Sequence, residues 1–188
     1  MSKFVEKILN EVITYHWEGE MYFDDDDDLR EQMQTYQRAG FPFKKFGNYT
    51  IFFEMEGKGT GEGQMVDMHI CRDDLYMGTM ETSVKKILNM VGLQIKSIEI
   101  TDLHQGEGVG LAFYDYLINS YNFLVSDYRV SKNAQKIWRK LGAKYGMYAL
   151  TRTKNGNDIL VSVDKAPEVW WAFFISKNIE QFKSIMHE

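Results

Sequence analysis

An α/β (α+β) fold, with a mixed central sheet flanked by helices and with helical additions at both ends, is predicted by three local patterns. Ile98 and Ile100 alternate with Glu99 and Thr101, the period of a half-buried strand. A glycine-rich turn then leads straight into Leu111, Tyr114, Leu117 and Ile118, which recur at helical spacing. The second pattern is the apolar run Asn122-Phe-Leu-Val125, a neighbouring strand followed by another helix-spaced segment. The third is Asn155-Gly156 between two strand-like runs, a hairpin signal because both residues tolerate positive φ.

Bulk properties bound the function classes. A chain of 188 residues with 44% hydrophobic and 26% charged residues is expected to form one domain over 1–188 with a sizeable core. Its net charge is −5 and no dense Lys/Arg stripe appears, which argues against nucleic-acid binding. No apolar run reaches the length of a spanning helix, and Met1 to Leu9 lacks the apolar centre of a signal peptide, so no membrane partner and a cytoplasmic location are expected. The single Cys71 excludes an internal disulfide and a cysteine-based zinc site.

The elements follow in order. Residues 1–47 are expected to be mainly helical. Phe4, Val5, Ile8, Leu9, Val12 and Ile13 share one helical face, and Asp24 to Asp28 precede a second helix over Leu29–Arg38. Five consecutive carboxylates suit the positive end of that helix better than a metal ion, because adjacent side chains do not converge on one point. Tyr49–Met55 and Met65–Cys71 flank the Gly57–Gly63 loop and read as an antiparallel hairpin. Thr82 or Ser83 then caps a predicted helix carrying Val84, Ile87, Leu88 and Val91. Tyr145–Thr151 and Ile159–Val163 form the hairpin across Asn155-Gly156, and residues 166–188 read as an aromatic C-terminal helix. That helix packs on its own domain or offers a homodimer or protein-partner surface.

The chemistry lies in Gln105-Gly-Glu-Gly-Val-Gly110. Glycines at a strand-to-helix turn let the main chain approach a ligand closely, and the helix start adds unpaired N–H groups, a combination that binds phosphate. The spacing fits neither the dinucleotide fingerprint nor a Walker loop. The pattern Gln105-x-x-Gly108-x-Gly110 resembles the acyl-CoA pyrophosphate loop of the GNAT N-acetyltransferase superfamily. Ser131-x-x-Ala134-x-x-Ile137-Trp138 with Gly142 is similar to a second GNAT motif, although Ser131, Trp138 and Ala143 replace its Asn, Tyr and Phe. Ser126 to Trp138 also looks like acetyltransferase-like proteins carried by bacteriophages. The resemblance covers residues 93–163, the expected acyl-CoA-binding core.

The resemblance implies an acyl-CoA-dependent N-acetyltransferase with acetyl-CoA as cosubstrate, an unknown amine acceptor and no metal. Ile98, Ile100, Gln105, Gly106, Glu107, Gly108, Val109, Gly110 and Asn133 would hold the cofactor. Glu99 is the first candidate base, Glu54 and His69 weaker ones, and Tyr145 (or Tyr148) would stand in for the tyrosine that Trp138 replaces. The alternative is a weakly active or inactive GNAT-fold factor that binds a protein.

Overall fold

The computed structural model describes residues 25–55, 61–166 and 171–187. The first predicted helix, residues 57–60 of the glycine loop, and Trp170 lie outside these. The described residues divide into two compact units. One comprises the residues up to Val84 with Ser97–Val109, the other Lys85–Lys96 with Gly110 onward.

In the first unit, α1 (Asp26–Arg38) starts where the acidic run places it. The Asp25 side chain caps it by accepting from the N–H groups of Asp27 and Asp28 at 2.9 and 3.1 Å. Three aspartates in the first turn oppose the helix dipole, so the run is a helix entry, as the sequence implied. Leu29, Met33 and Tyr36 point from one face into a core with Phe52, Cys71 and Tyr76. That core lies on an antiparallel set, β1 (Phe43–Phe46), β2 (Tyr49–Met55), β3 (Met65–Arg72) and β4 (Leu75–Ile87), hydrogen-bonded in chain order. The predicted hairpin is the β2–β3 pair, running from Tyr49↔Arg72 to Met55↔Val66. Asp73 and Asp74, both at positive φ, make the two-residue turn into β4.

The helix predicted over Val84 to Val91 is not formed. Those residues lie in β4 and in β5 (Met90–Ile100), joined by a turn at Leu88–Asn89. Leu88 adopts φ 54 and is 48% exposed, so the residue that completed the helical spacing is the one the turn pushes into solvent. A two-residue turn without glycine hides the strand break. No helix therefore separates the hairpin from the Ile98 strand. At Gly78 the backbones of β4 and β5 press together, and a Cβ there would lie 2.0 Å from the Glu99 carbonyl oxygen.

In the second unit, β5 pairs in parallel with β6 (Leu124–Ser126), the predicted neighbouring strand. Between them runs α2 (Val109–Ser120), the helix expected after the glycine loop. The order continues to β9 (Ala172–Ile175), β7 (Tyr148–Arg152), β8 (Asp158–Ser162) and β10 (Met186–His187). Parallel and antiparallel pairings both occur, and helices pack on the strands, so the fold is the mixed α/β type predicted. The β7–β8 hairpin closes across Asn155-Gly156, with Gly156 at φ 80. Between β6 and β7 in the chain lies α3 (Lys132–Tyr145), capped by Ser131, whose Oγ accepts from the Ala134 N–H at 3.2 Å.

The predicted C-terminal helix is corrected. Residues 172–175 are all buried in β9 between β6 and β7, and a 3₁₀ segment (Ile179–Ile185) follows. An unbroken apolar run reads as helix or as a strand buried on both faces, and only tertiary contact decides between them. Phe174 and Phe182 pack with Phe123 at centroid distances of 4.9 to 5.5 Å, so these aromatic side chains fill a core and form no exposed partner face. Among the described residues no helix is long and apolar enough to cross a membrane, and no three His, Cys, Asp or Glu gather as metal ligands.

Candidate active site

The site is built where β5 ends. The parallel pairing of β5 with β6 stops at Ile95↔Ser126, yet β5 runs on to Ile100. Thr101 keeps the strand in register on its other side, donating its N–H to the Met77 carbonyl at 2.9 Å. Ile98 and Ile100 are half-buried and Glu99 is exposed, the alternation that the sequence showed.

One 3₁₀ turn, Asp102–His104, leads into the glycine loop. Gly106 and Gly108 take φ 86 and 81, a left-handed backbone that side chains with a Cβ resist. Neither glycine has any atom within 4 Å of a built Cβ, so the backbone conformation and not crowding calls for glycine here. Gly106, Glu107 and Gly108 are exposed, and among the described residues no hydrogen bond engages their N–H groups. Val109 is buried and opens α2, whose first N–H groups have no partner within the helix. Gly106, Glu107 and Gly108 thus offer N–H donors just ahead of a helix start.

Side chains brace this turn from the inside. The Gln105 amide folds back, donating to Asp102 Oδ1 at 2.6 Å and to the Ile100 carbonyl at 3.3 Å. Glu107 accepts from the Arg72 guanidinium of β3 and bonds to His104 Nδ1 at 3.1 Å. The Arg72 hydrogen bond, then that of His104, holds the Glu107 carboxyl below the usual carboxylate range. Its negative charge is therefore offset by the Arg72 guanidinium, and its other oxygen is tied to His104. Nothing in the sequence marks Arg72 as a partner of the loop, and His104, which by position before the loop reads as a solvent-exposed residue, is instead mostly covered and bonded to Glu107. Arg72 is 35 positions from Glu107, and the successive strands β3, β4 and β5 bring the two together.

The remaining predicted residues fall elsewhere. Asn133 is exposed on the first turn of α3. Tyr145, at the end of α3, has its hydroxyl 2.6 Å from Asp115 Oδ1 and accepts from the Asn119 amide at 3.4 Å. Lys144 shares the same Asp115 oxygen at 2.7 Å. Tyr145 is thus a strut between α2 and α3. Trp138 is 1% exposed, edge-on to Tyr114 and stacked with Phe173. His69 Nε2 lies 3.0 Å from Glu54 Oε2, and its ring stacks on Tyr36 at 4.2 Å in the core beneath α1. Tyr148 pairs across the hairpin with Ser162.

Comparison with known proteins gives distant structural likeness only. No family model matches the sequence, and no curated protein matches it. Solved structures similar to it include acetyltransferases. One is Naa50 of Arabidopsis thaliana in complex with a CoA-containing bisubstrate analogue, at 13% identity, 82% of this chain, 96% of that chain and a TM-score of 0.40. Another is a protein of Desulfovibrio desulfuricans assigned to the GNAT acetyltransferase family, at 11% identity, 60% and 69% coverage and a TM-score of 0.39. A third is an N-acetyltransferase of Staphylococcus aureus, at 13% identity, 60% and 68% coverage and a TM-score of 0.36.

Proposed function

We propose that this protein is an acyl-CoA-dependent N-acetyltransferase, using acetyl-CoA to acetylate an amine of a small molecule or protein. The observation that carries the reading is the row of unengaged N–H groups over Gly106–Gly108 at the start of α2. Backbone donors so arranged suit a diphosphate, which brings two or more negative charges to one concavity. On this reading Gln105 to Gly110 hold the pyrophosphate. Gln105 contributes by bracing the turn through Asp102 and Ile100.

The edge of β5 beyond Ile95, where pairing with β6 has stopped, supplies free main-chain groups for the amides of the pantetheine arm. Ile98 and Ile100 lie on that stretch. Transfer then requires the amine nitrogen to attack the thioester carbonyl, forming C–N as C–S breaks. The carbonyl oxygen passes through an oxyanion that a main-chain N–H stabilises. The departing thiolate is a good enough leaving group that a dedicated acid is not obligatory. The amine must shed a proton, and Glu99, exposed on β5, is the acceptor proposed for it. Tyr145 already has its phenol engaged with Asp115, which favours a structural task over proton donation to the thiolate.

Calorimetric titration with acetyl-CoA tests the reading. Gly108→Val forces a β-branched residue to φ 81 and should weaken acetyl-CoA binding about ten-fold or more. Absence of wild-type binding at millimolar acetyl-CoA removes the proposal.

A further inference from the structure

We propose that the second unit carries a binding cavity for a small organic acid, a carboxylate or phosphate ester with a flat apolar body. The cavity measures about 710 Å³, and its walls include Tyr128, Arg129, Arg139, Met147, Trp171 and Phe173. That volume falls in the range of small-molecule sites, which lies at roughly 300–1,000 Å³. None of the residues named above for acyl-CoA lines it, and the inference does not rest on the acyl-transfer reading.

The charge pattern sets the ligand's sign. Two arginines and no carboxylate line the cavity among the described residues, in a chain whose net charge is −5. Neither Arg129 nor Arg139 has a hydrogen bond or ion pair to a described residue, whereas Lys85, Lys96, Lys144 and Arg152 of the same unit all face carboxylates. The other polar wall groups are already committed. Ser126 Oγ donates to the Asp127 carbonyl at 2.7 Å and accepts from the Phe173 N–H at 2.9 Å. The Gln135 amide donates to the Val130 carbonyl at 3.1 Å, which ties the loop bearing Arg129 to the helix bearing Arg139. The guanidinium groups are therefore the open donors, and their planar forks match carboxylate and phosphate oxygens.

The apolar half sets the ligand's body. Trp171 stands edge-on to Phe173 at 4.9 Å, Phe173 stacks on the buried Trp138, and Met147 adds a thioether that adapts to flat rings. A polar metabolite without an apolar face would leave this wall wet.

Indole-3-acetate and tryptamine, which share a ring system and differ in charge, test the site by calorimetry on the full chain. Indole-3-acetate should bind and tryptamine should not. Arg129→Gln and Arg139→Gln should each weaken indole-3-acetate about ten-fold, the usual scale for one charge-assisted contact. Both arginines are exposed, so thermal melting should stay unchanged in these variants and separate lost binding from lost folding. Equal binding of tryptamine, unaltered affinity in both arginine variants, or no binding at millimolar indole-3-acetate each overturns the proposal. Saturating acetyl-CoA should leave the probe's affinity unaltered. Displacement would make the cavity part of the acyl-donor site and overturn its independence, while a failure of acetyl-CoA to bind at all would leave this result standing.

Discussion

Two buried clusters, one in each unit, are built by opposite means. In the first, the core under α1 is crowded with groups that carry protons. Tyr36 stacks on His69, Tyr36 and Tyr76 hydrogen-bond each other, and Cys71 is wholly buried beside them. Burial pushes both phenols well above their ordinary values and the Cys71 thiol up to about 12. In the second, the fully buried cluster around Phe123, Phe174 and Phe182 is hydrocarbon, while phenol and indole groups such as Tyr114 and Trp138 are buried elsewhere in that unit. The contrast shows that polar groups are tolerated inside where strand partners such as Glu54 and Thr79 satisfy them. Where rings interlock, shape alone is asked to hold the structure.

That difference breaks first at the rings. Phe174→Ala removes a side chain with no exposed surface and contacts to two other rings, and should cost about 3–5 kcal/mol in chemical denaturation. A loss below about 1 kcal/mol would mean the aromatic core collapses around the gap. In the first unit the comparable weak point is a backbone contact. Gly78→Ala puts a methyl 2.0 Å from the Glu99 carbonyl oxygen and should cost about 1–3 kcal/mol through displaced strands.

The proton-bearing core is sharpened by chemistry rather than by stability. The Cys71 thiol, buried and held protonated, should resist a soluble disulfide reagent at about pH 8 and react only as the chain unfolds. Rapid labelling of the native protein would show the first unit opening locally.

The smallest effect lies in the second unit, at the α2–α3 strut. Lys144, then Tyr145, holds the Asp115 carboxyl below its ordinary range. A depressed folded pKa stabilises above the unfolded value, near about 4, and that contribution is lost as pH falls through the folded one. Wild type should therefore exceed Asp115→Asn in melting temperature by a small margin at about pH 7, and the two should converge below about pH 4. A difference that persists in acid would refute an ionic strut.

The strand, turn and helix at the candidate site were legible because they are local. Ile98 to Gly110 is one continuous stretch, and its strand period, glycines and helix onset are each set by neighbours within a few residues. The Asn155-Gly156 turn and the Asp25 cap were readable for the same reason. Arg72 joining Glu107 and Tyr145 bound to Asp115 are long-range meetings with no linear spacing to announce them, and the cavity that Arg129 and Arg139 share is closed by residues as distant as Trp171 and Phe173.

By itself, then, the sequence determined the mixed fold class, the strand–loop–helix of the glycine turn and the acidic helix entry, all products of short-range backbone preference. Tertiary structure alone decided that Val84 to Val91 turn between strands and that Ala172–Ile175 lie between β6 and β7. In both places the apolar spacing serves a helix and a strand equally well. What chooses is whether neighbouring strands offer open hydrogen-bonding edges to a segment that must bury both its faces.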